Sequence, residues 1–253
     1  MPTSTQPHPV LDRYYPREGD RESFVATLFD GAARHYDRVG HVLALGSGPY
    51  YRRNALGRAG LRPGMKLLDV ATGTGQVARA ATRILGDPQG VVGLDPSAGM
   101  LREAQRAHGG LLVRARAEQM PLGDDVFDML SMGFALRHVA TLETAFAEYR
   151  RVLKPGGRVL LLEVSRPRSA ATRWAIRVYF QRVLPVLIRL ATRNPDAPLL
   201  MEYYWDTIAE CVPPETIVTA LRQAGFVDVE HRMFVGCLSE YVAVKPSRRA
   251  ATG

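Results

Sequence analysis

Leu67-Leu68-Asp69-Val70-Ala71-Thr72-Gly73-Thr74-Gly75 is the stretch whose reading decides the fold. It starts as a short apolar run, the pattern of a strand buried on both faces of a parallel sheet. It ends in a turn whose glycines, Gly73 and Gly75, stand one residue apart. Gln76-Val77-Ala78-Arg79-Ala80-Ala81 then reads as the opening of a helix. Strand, glycine turn and helix N-terminus in that order bind nucleotide-like ligands. The glycines let the backbone approach closely, and the helix end presents free N–H groups. A purely structural turn is the bland alternative, and Gly73 to Ala78 also fits the dinucleotide fingerprint.

Two acids bear on that choice. Asp95 closes a second strand, Val91-Val92-Gly93-Leu94, about 20 residues further on, where a ribose-binding acid belongs. An Asp capping the helix that follows is the competing reading. Asp69 stands at the tip of the first strand, before the glycines. An anion there has little use against a pyrophosphate but suits a ligand carrying an ammonium group. The pair therefore favours a nucleoside with an amino acid attached, S-adenosylmethionine. Gly73 and Gly75 would admit its methionine part, Asp69 would orient its ammonium directly or through water, and Asp95 would accept from both ribose hydroxyls.

Outward from this stretch the chain alternates strand and helix. Ser97 to Ala104 reads as a capped helix, Leu111-Leu112-Val113 as a third strand and Val126 to Met132 as a fourth. Leu142 to Leu153 is a helix stopped by Lys154-Pro155-Gly156-Gly157, and Arg158 to Val164 a fifth strand. Thr216 to Ala224 is a helix ended by Gly225. Phe226 to Val229 and Cys237 to Val244 finish the sheet, their short connection implying antiparallel pairing. The expected fold is α/β: a doubly wound, mostly parallel seven-stranded sheet with an antiparallel last strand.

The flanks read differently. Residues 1–22 are polar and proline-rich and read as a flexible arm without a secretory signal. Residues 23–245 read as a single domain. Within it, Phe24 to Tyr36 is a helix, part of an N-terminal segment, 23–60, that is either a lid over the ligand or filler on a sheet face. The alternation breaks at 166–212. Its first part, Arg166 to Leu200, is rich in arginine and large apolar residues such as Trp174, Phe180, Leu184 and Leu187, with Pro185 interrupting it. Residues 246–253 form a basic tail.

The net charge is +8, and Lys66, Lys154 and Lys245 are the only lysines, so arginine carries it. Such a balance suits an anionic membrane surface or nucleic acid; with no nucleic-acid motif beside it, nucleic acid is not expected. Cys211 and Cys237 form no metal or disulfide pattern, which reads as packed thiols in a reducing compartment, and no metal is expected. No apolar run reaches the ~20 residues of a membrane span.

Leu67 to Gly75, Gly93-Leu94-Asp95-Pro96-Ser97 with Met100-Leu101, Ala117-Glu118-Gln119-Met120-Pro121-Leu122 and Leu153-Lys154-Pro155-Gly156-Gly157 together resemble the class I S-adenosylmethionine-dependent methyltransferases, a Rossmann-like fold. A narrower resemblance is carried by Tyr36-Asp37-Arg38, Phe134-Ala135-Leu136-Arg137-His138-Val139 and Tyr149-Arg150-Arg151-Val152. These are similar to the ubiquinone/menaquinone biosynthesis C-methyltransferase family, over about Phe29 to Lys245. The chain departs from the family pattern at Gln76, Arg116, Ala135 and His138. The resemblance implies further cofactor contacts at Thr74, at Arg116-Ala117 against adenine, and at Gly133, which lacks the family's serine hydroxyl.

It also implies a substrate: a small aromatic, lipophilic quinol methylated on a ring carbon, with the protein cytoplasmic or peripheral on the inner membrane face. Such chemistry needs an aligned methyl donor and a stabilised phenolate. Arg137 and His138 sit just past the fourth strand, at the carboxyl edge where open sheets bind ligands. Arg137 would hold an oxyanion. His138, titrating near neutrality, would serve as base, or else is a cap or surface residue. The 166–212 insertion matches the family's substrate-covering region. Arg173 with Arg177, and Arg189 with Arg193, share helical faces, either toward lipid phosphates or merely solvated. Tyr203, Tyr204 and Trp205 line the ring pocket or fill the core. Against quinol methylation stand methylation of a soluble specialised metabolite, a non-catalytic methyltransferase-like module, and a nicotinamide dehydrogenase. The oligomeric state has no sequence signal.

Overall fold

A computed structural model describes residues 5–167, 169–184, 186, 188 and 197–247. Strand β1 (Leu67–Val70) is buried at every position, which explains why its sequence is apolar without alternation. It pairs in parallel with β2 (Val91–Asp95) on one side and β4 (Phe127–Gly133) on the other, so Asp69 lies level with both Gly93 and Ser131. β3 (Leu111–Arg114) and β5 (Leu153–Val164) extend the sheet in parallel. β7 (Leu238–Val244) is antiparallel to β5 and to β6 (Val227–Phe234). The seven strands run in the order β3-β2-β1-β4-β5-β7-β6. The order reverses between β1 and β4, which opens a crevice at the carboxyl edge there.

Helices cover both faces. α2 (Gly48–Arg58) and α3 (Gln76–Leu85) bury Ala55, Leu56, Ala78 and Ala81 against one face. α5 (Leu142–Val152) and a later helix, Pro214–Gln223, bury Phe146, Tyr149, Ile217 and Leu221 against the other. α4 (Ala98–Ala107) is capped by Ser97, whose hydroxyl accepts from the Met100 N–H at 3.0 Å. β5 starts five residues before the expected Arg158, because Leu153 already pairs with Phe127 ahead of a register shift.

The N-terminal region differs from the sequence expectation. α1 is a single helix, Glu18–Leu43, not one ending at Tyr36. Gly31 and Gly40 lie inside it; packing against the sheet domain overrides their low helix propensity. The stretch expected as a loose arm is packed from residue 5 onward. Leu142 N–H donates to the Thr5 carbonyl and Val212 N–H to the Pro7 carbonyl, and Tyr15 and His8 are buried.

α1 joins a third apolar cluster with α6 (Ala170–Val178), a π turn at Tyr179–Val183, and α7 (Ala197–Glu210); Pro214–Gln223 is α8. Tyr15, Phe180, Leu184, Tyr203, Tyr204 and Trp205 form its centre, which resolves the aromatic triplet as mainly core. The expectations for Pro185, Leu187, Arg189, Arg193 and most of the basic tail lie outside the described residues. No helix among the described residues is long and apolar enough to cross a membrane.

Candidate active site

The turn after β1 needs three left-handed residues: Ala71 (φ 52°), Gly73 (φ 56°) and Gly75 (φ 79°). A Cβ added at Gly73 would meet nothing within 4 Å, so the turn is open there to an incoming group. Gly75 is different: it caps α3 and is closed off by Ala104 and His108. Asp95 braces the turn. Its carboxylate accepts from the Gly73 N–H at 2.8 Å and the Ser97 N–H at 2.9 Å. Burial pushes its pKa up to about 6.

These residues form one end of a cavity of about 450 Å³ at the carboxyl edge. Gly73, Asp95, Arg116, Ala117, Gly133 and His138 line it, as expected for a shared site. The apolar end is closed by α1, through Val25, Phe29 and Tyr36, and by Phe134 and Ala135 after β4. Gly133 has no room for a side chain, because a Cβ would stand 2.8 Å from Val77 Cγ2. Ribose acid, open glycine and apolar end together fit an adenosyl cofactor next to an aromatic acceptor.

Four expected residues do not face the cavity. Asp69 is buried beneath the turn, accepting from the Thr72 hydroxyl at 2.6 Å and the Ser131 hydroxyl at 2.7 Å, and burial raises its pKa to about 6. The Thr74 hydroxyl turns outward to Asp37. Gly75 is covered as described. Arg137 points away from the cavity and ion-pairs with Glu163, while its Nε donates to Thr207 Oγ1 at 3.1 Å. Burial works against its charge, and Glu163 first among its neighbours outweighs that and raises its pKa. The guanidinium expected to hold an oxyanion is engaged with Glu163 and Thr207 in this structure.

His138 does face the cavity, but not as a near-neutral titrating group. Burial, then the charges of Arg137, Arg21 and His8, hold its pKa well below 6.5. Its ring stacks on Tyr203 at 5.6 Å and meets Phe29 edge-on at 5.3 Å. Nδ1 lies 3.3 Å from the Tyr203 hydroxyl, and the buried Nε2 has no hydrogen-bond partner among the described residues. A Tyr203 hydroxyl that donates to Nδ1 leaves the ring proton on Nε2.

Other participants lay outside the sequence reading. Asp30, on α1, accepts from the Gly99 N–H at 2.8 Å and from the Ser97 hydroxyl, at the head of α4. Asp37, seven residues later on the same helix face, also accepts from Gln76 Nε2 and Arg79 Nη2, each at 2.9 Å, at the head of α3. Their shared face was a usable signal. Glu118 Oε1 accepts from the Ala140 N–H at 2.6 Å and ties the loop of Ala117 to the loop after His138.

A model of the ubiE/COQ5 methyltransferase family matches residues 17–245. The chain is 35% identical over 226 residues to a demethylmenaquinone methyltransferase of Mycobacterium tuberculosis, covering 89% of this chain and 94% of that one. It is 35% identical over 218 residues to a ubiquinone/menaquinone biosynthesis C-methyltransferase of Shewanella halifaxensis, covering 83% and 86%. A crystal structure of a SAM-dependent methyltransferase from Aquifex aeolicus shares the fold, with a TM-score of 0.56 at 18% identity over 77% of this chain and 89% of that one.

Proposed function

This chain belongs to the ubiE/COQ5 methyltransferase family and is an S-adenosylmethionine-dependent methyltransferase, and on that premise we propose that it methylates a ring carbon of a prenylated quinol. The observation that carries the reading is the single cavity in which Asp95 and Gly73 share walls with His138, Phe29 and Phe134. A nucleoside end and an aromatic end thus open onto one another, as direct methyl transfer requires.

When bound, S-adenosylmethionine supplies an electrophilic methyl on a sulfonium sulfur. The chain's residues do the rest. Asp95 receives the ribose hydroxyls, and the backbone of Ala117, flanked by Arg116, borders the adenine. Gly73 leaves the room a side chain would fill, and Gly133 lets Val77 pack closely beneath the cavity wall. Asp69, Thr74 and Gly75 act from behind, shaping the turn through Thr72, Ser131 and Asp37. His138, kept neutral, donates from Nε2 to the acceptor's phenolic oxygen as charge develops there. Phe29 and Phe134 exclude water from the ring.

The lipophilic acceptor is reached from a membrane surface. What supports this is the outer side of α6 and the π turn, where Trp174 is 69% and Val183 43% exposed beside exposed Arg177 and Arg182. Aromatic and apolar side chains among arginines suit an anionic interface. The test incubates the protein with methyl-labelled cofactor and anionic vesicles carrying a demethylated quinol. Label should enter the quinol ring with the wild type and not with Asp95→Ala, and Trp174→Ser should sediment less with the vesicles. Label in a soluble phenol but never in the quinol overturns the proposal.

A further inference from the structure

Among the described residues, one half-buried cation near the site has no ion-pair partner. Arg52, on α2, lies over the face of Phe134, with Cζ 5.4 Å from the ring centroid. Its Nη1 folds back over Gly48, 2.5 Å from where a Cβ would stand. Phe134 follows Gly133 at the β1–β4 crevice and lines the cavity. Among the described residues no carboxylate makes an ion pair with Arg52. Yet Asp69, Asp37 and Tyr36 face it electrostatically, opposed by Arg79. Both carboxylates are engaged elsewhere, Asp69 by the hydroxyls of Thr72 and Ser131, and Asp37 by Thr74, Gln76 and Arg79. A half-buried guanidinium that rests on a ring face with no ion-pair partner among the described residues keeps its donor fork available to an incoming anion.

We propose that Arg52 binds the carboxylate of the cofactor's amino-acid tail. The inference rests on the adenosyl-cofactor reading and extends it. With the ribose at Asp95, the tail would run past the open face of Gly73 toward the β1–β4 crevice, where the cavity-lining Phe134 carries the Arg52 guanidinium on its ring face. The tail's carboxylate suits the guanidinium fork, which can hold it bidentately. Gly48 has a part in this, because a side chain there would displace Nη1 from its present place.

The experiment titrates the full chain calorimetrically with S-adenosylhomocysteine and with 5′-methylthioadenosine, which keeps the adenosine and thioether but lacks the tail. Wild type should prefer the first. Arg52→Gln should weaken S-adenosylhomocysteine about tenfold or more, the worth of a charge-assisted contact, and leave 5′-methylthioadenosine within about twofold. Arg52→Lys and Gly48→Ala should fall between, and they carry the comparison if Arg52→Gln does not fold. Equal loss for both ligands, or loss for neither, overturns the proposal. So does an Arg52→Gln enzyme with unchanged S-adenosylhomocysteine affinity and a raised KM for the acceptor. A wild type that binds neither ligand overturns the cofactor reading itself.

Discussion

The cavity has a floor and a cover, and they are built on different principles. The floor, from β1 to Gly133, is assembled by neighbours along the sheet: Asp95 holds Gly73 and Ser97, and Asp69 holds Thr72 and Ser131. The cover gathers residues from distant parts of the chain. His8 Nδ1 donates to the Pro9 carbonyl and Nε2 accepts from Arg21, which also donates to the Arg137 carbonyl; Arg137 in turn pairs with Glu163. The floor spends its polar groups on shaping a ligand site. The cover spends them on holding separate segments together. Arg137 and His138 show the divide in adjacent residues, one committed to the core and one facing the cavity.

The largest expected effect separates the two. Arg137→Ala leaves Glu163 buried and uncompensated and should cost about 3–5 kcal/mol in urea unfolding. The folded fraction should still bind S-adenosylhomocysteine within about twofold, since the sites do not share partners. A variant of full stability with lost affinity would break the comparison.

Acid should act on the regions in opposite senses. Asp69 and Asp95 are raised to about 6 by burial, so in the ligand-free protein their charge costs stability above that pH and is relieved as pH falls toward 4. Their loss of charge should weaken S-adenosylhomocysteine progressively between pH 7 and 5, read by calorimetry; a flat profile would remove both acids from recognition. His8 is lowered to about 4, first by burial and then by Arg21. The unfolded chain takes up that proton below about 6.5, so the cover loses stability as pH falls from 6.5 toward 4. His8→Asn should lose less than the wild type over that range in unfolding experiments.

The smallest effect belongs to the joint. Asp37 ties α1 to the head of α3 and is half exposed, so solvent screens much of its interaction. Asp37→Ala should cost about 1 kcal/mol or less. Its signature is local: faster amide exchange in α1 with β1 unchanged. Equal acceleration in both would mean that floor and cover open as one unit.

How far the sequence reached follows the same line. The parallel strands, the glycine turn, the antiparallel final pair and the placement of Asp95, Ala117 and His138 were legible, because each rests on local periodicity or on motif spacing. The length of α1 was not, since Gly31 and Gly40 weaken its local signal and its stability comes from the elements it packs against. The packed N-terminal segment was equally hidden: its polar, proline-rich composition does not reveal that Tyr15 and His8 find partners on α7 and α1.

By itself, then, the sequence determined the sheet, the family and the floor of the site. Tertiary structure decided which of its charged residues face the ligand. Arg137 is buried and Arg52 half-buried, and no pattern distinguishes the two in advance. One meets Glu163 across the core, and the other lies over the face of Phe134 beside the cavity, with no ion pair among the described residues. Side-chain type fixes what a group can do, but desolvation and partner geometry fix whether it remains available to do it, and these depend on residues far away in the chain.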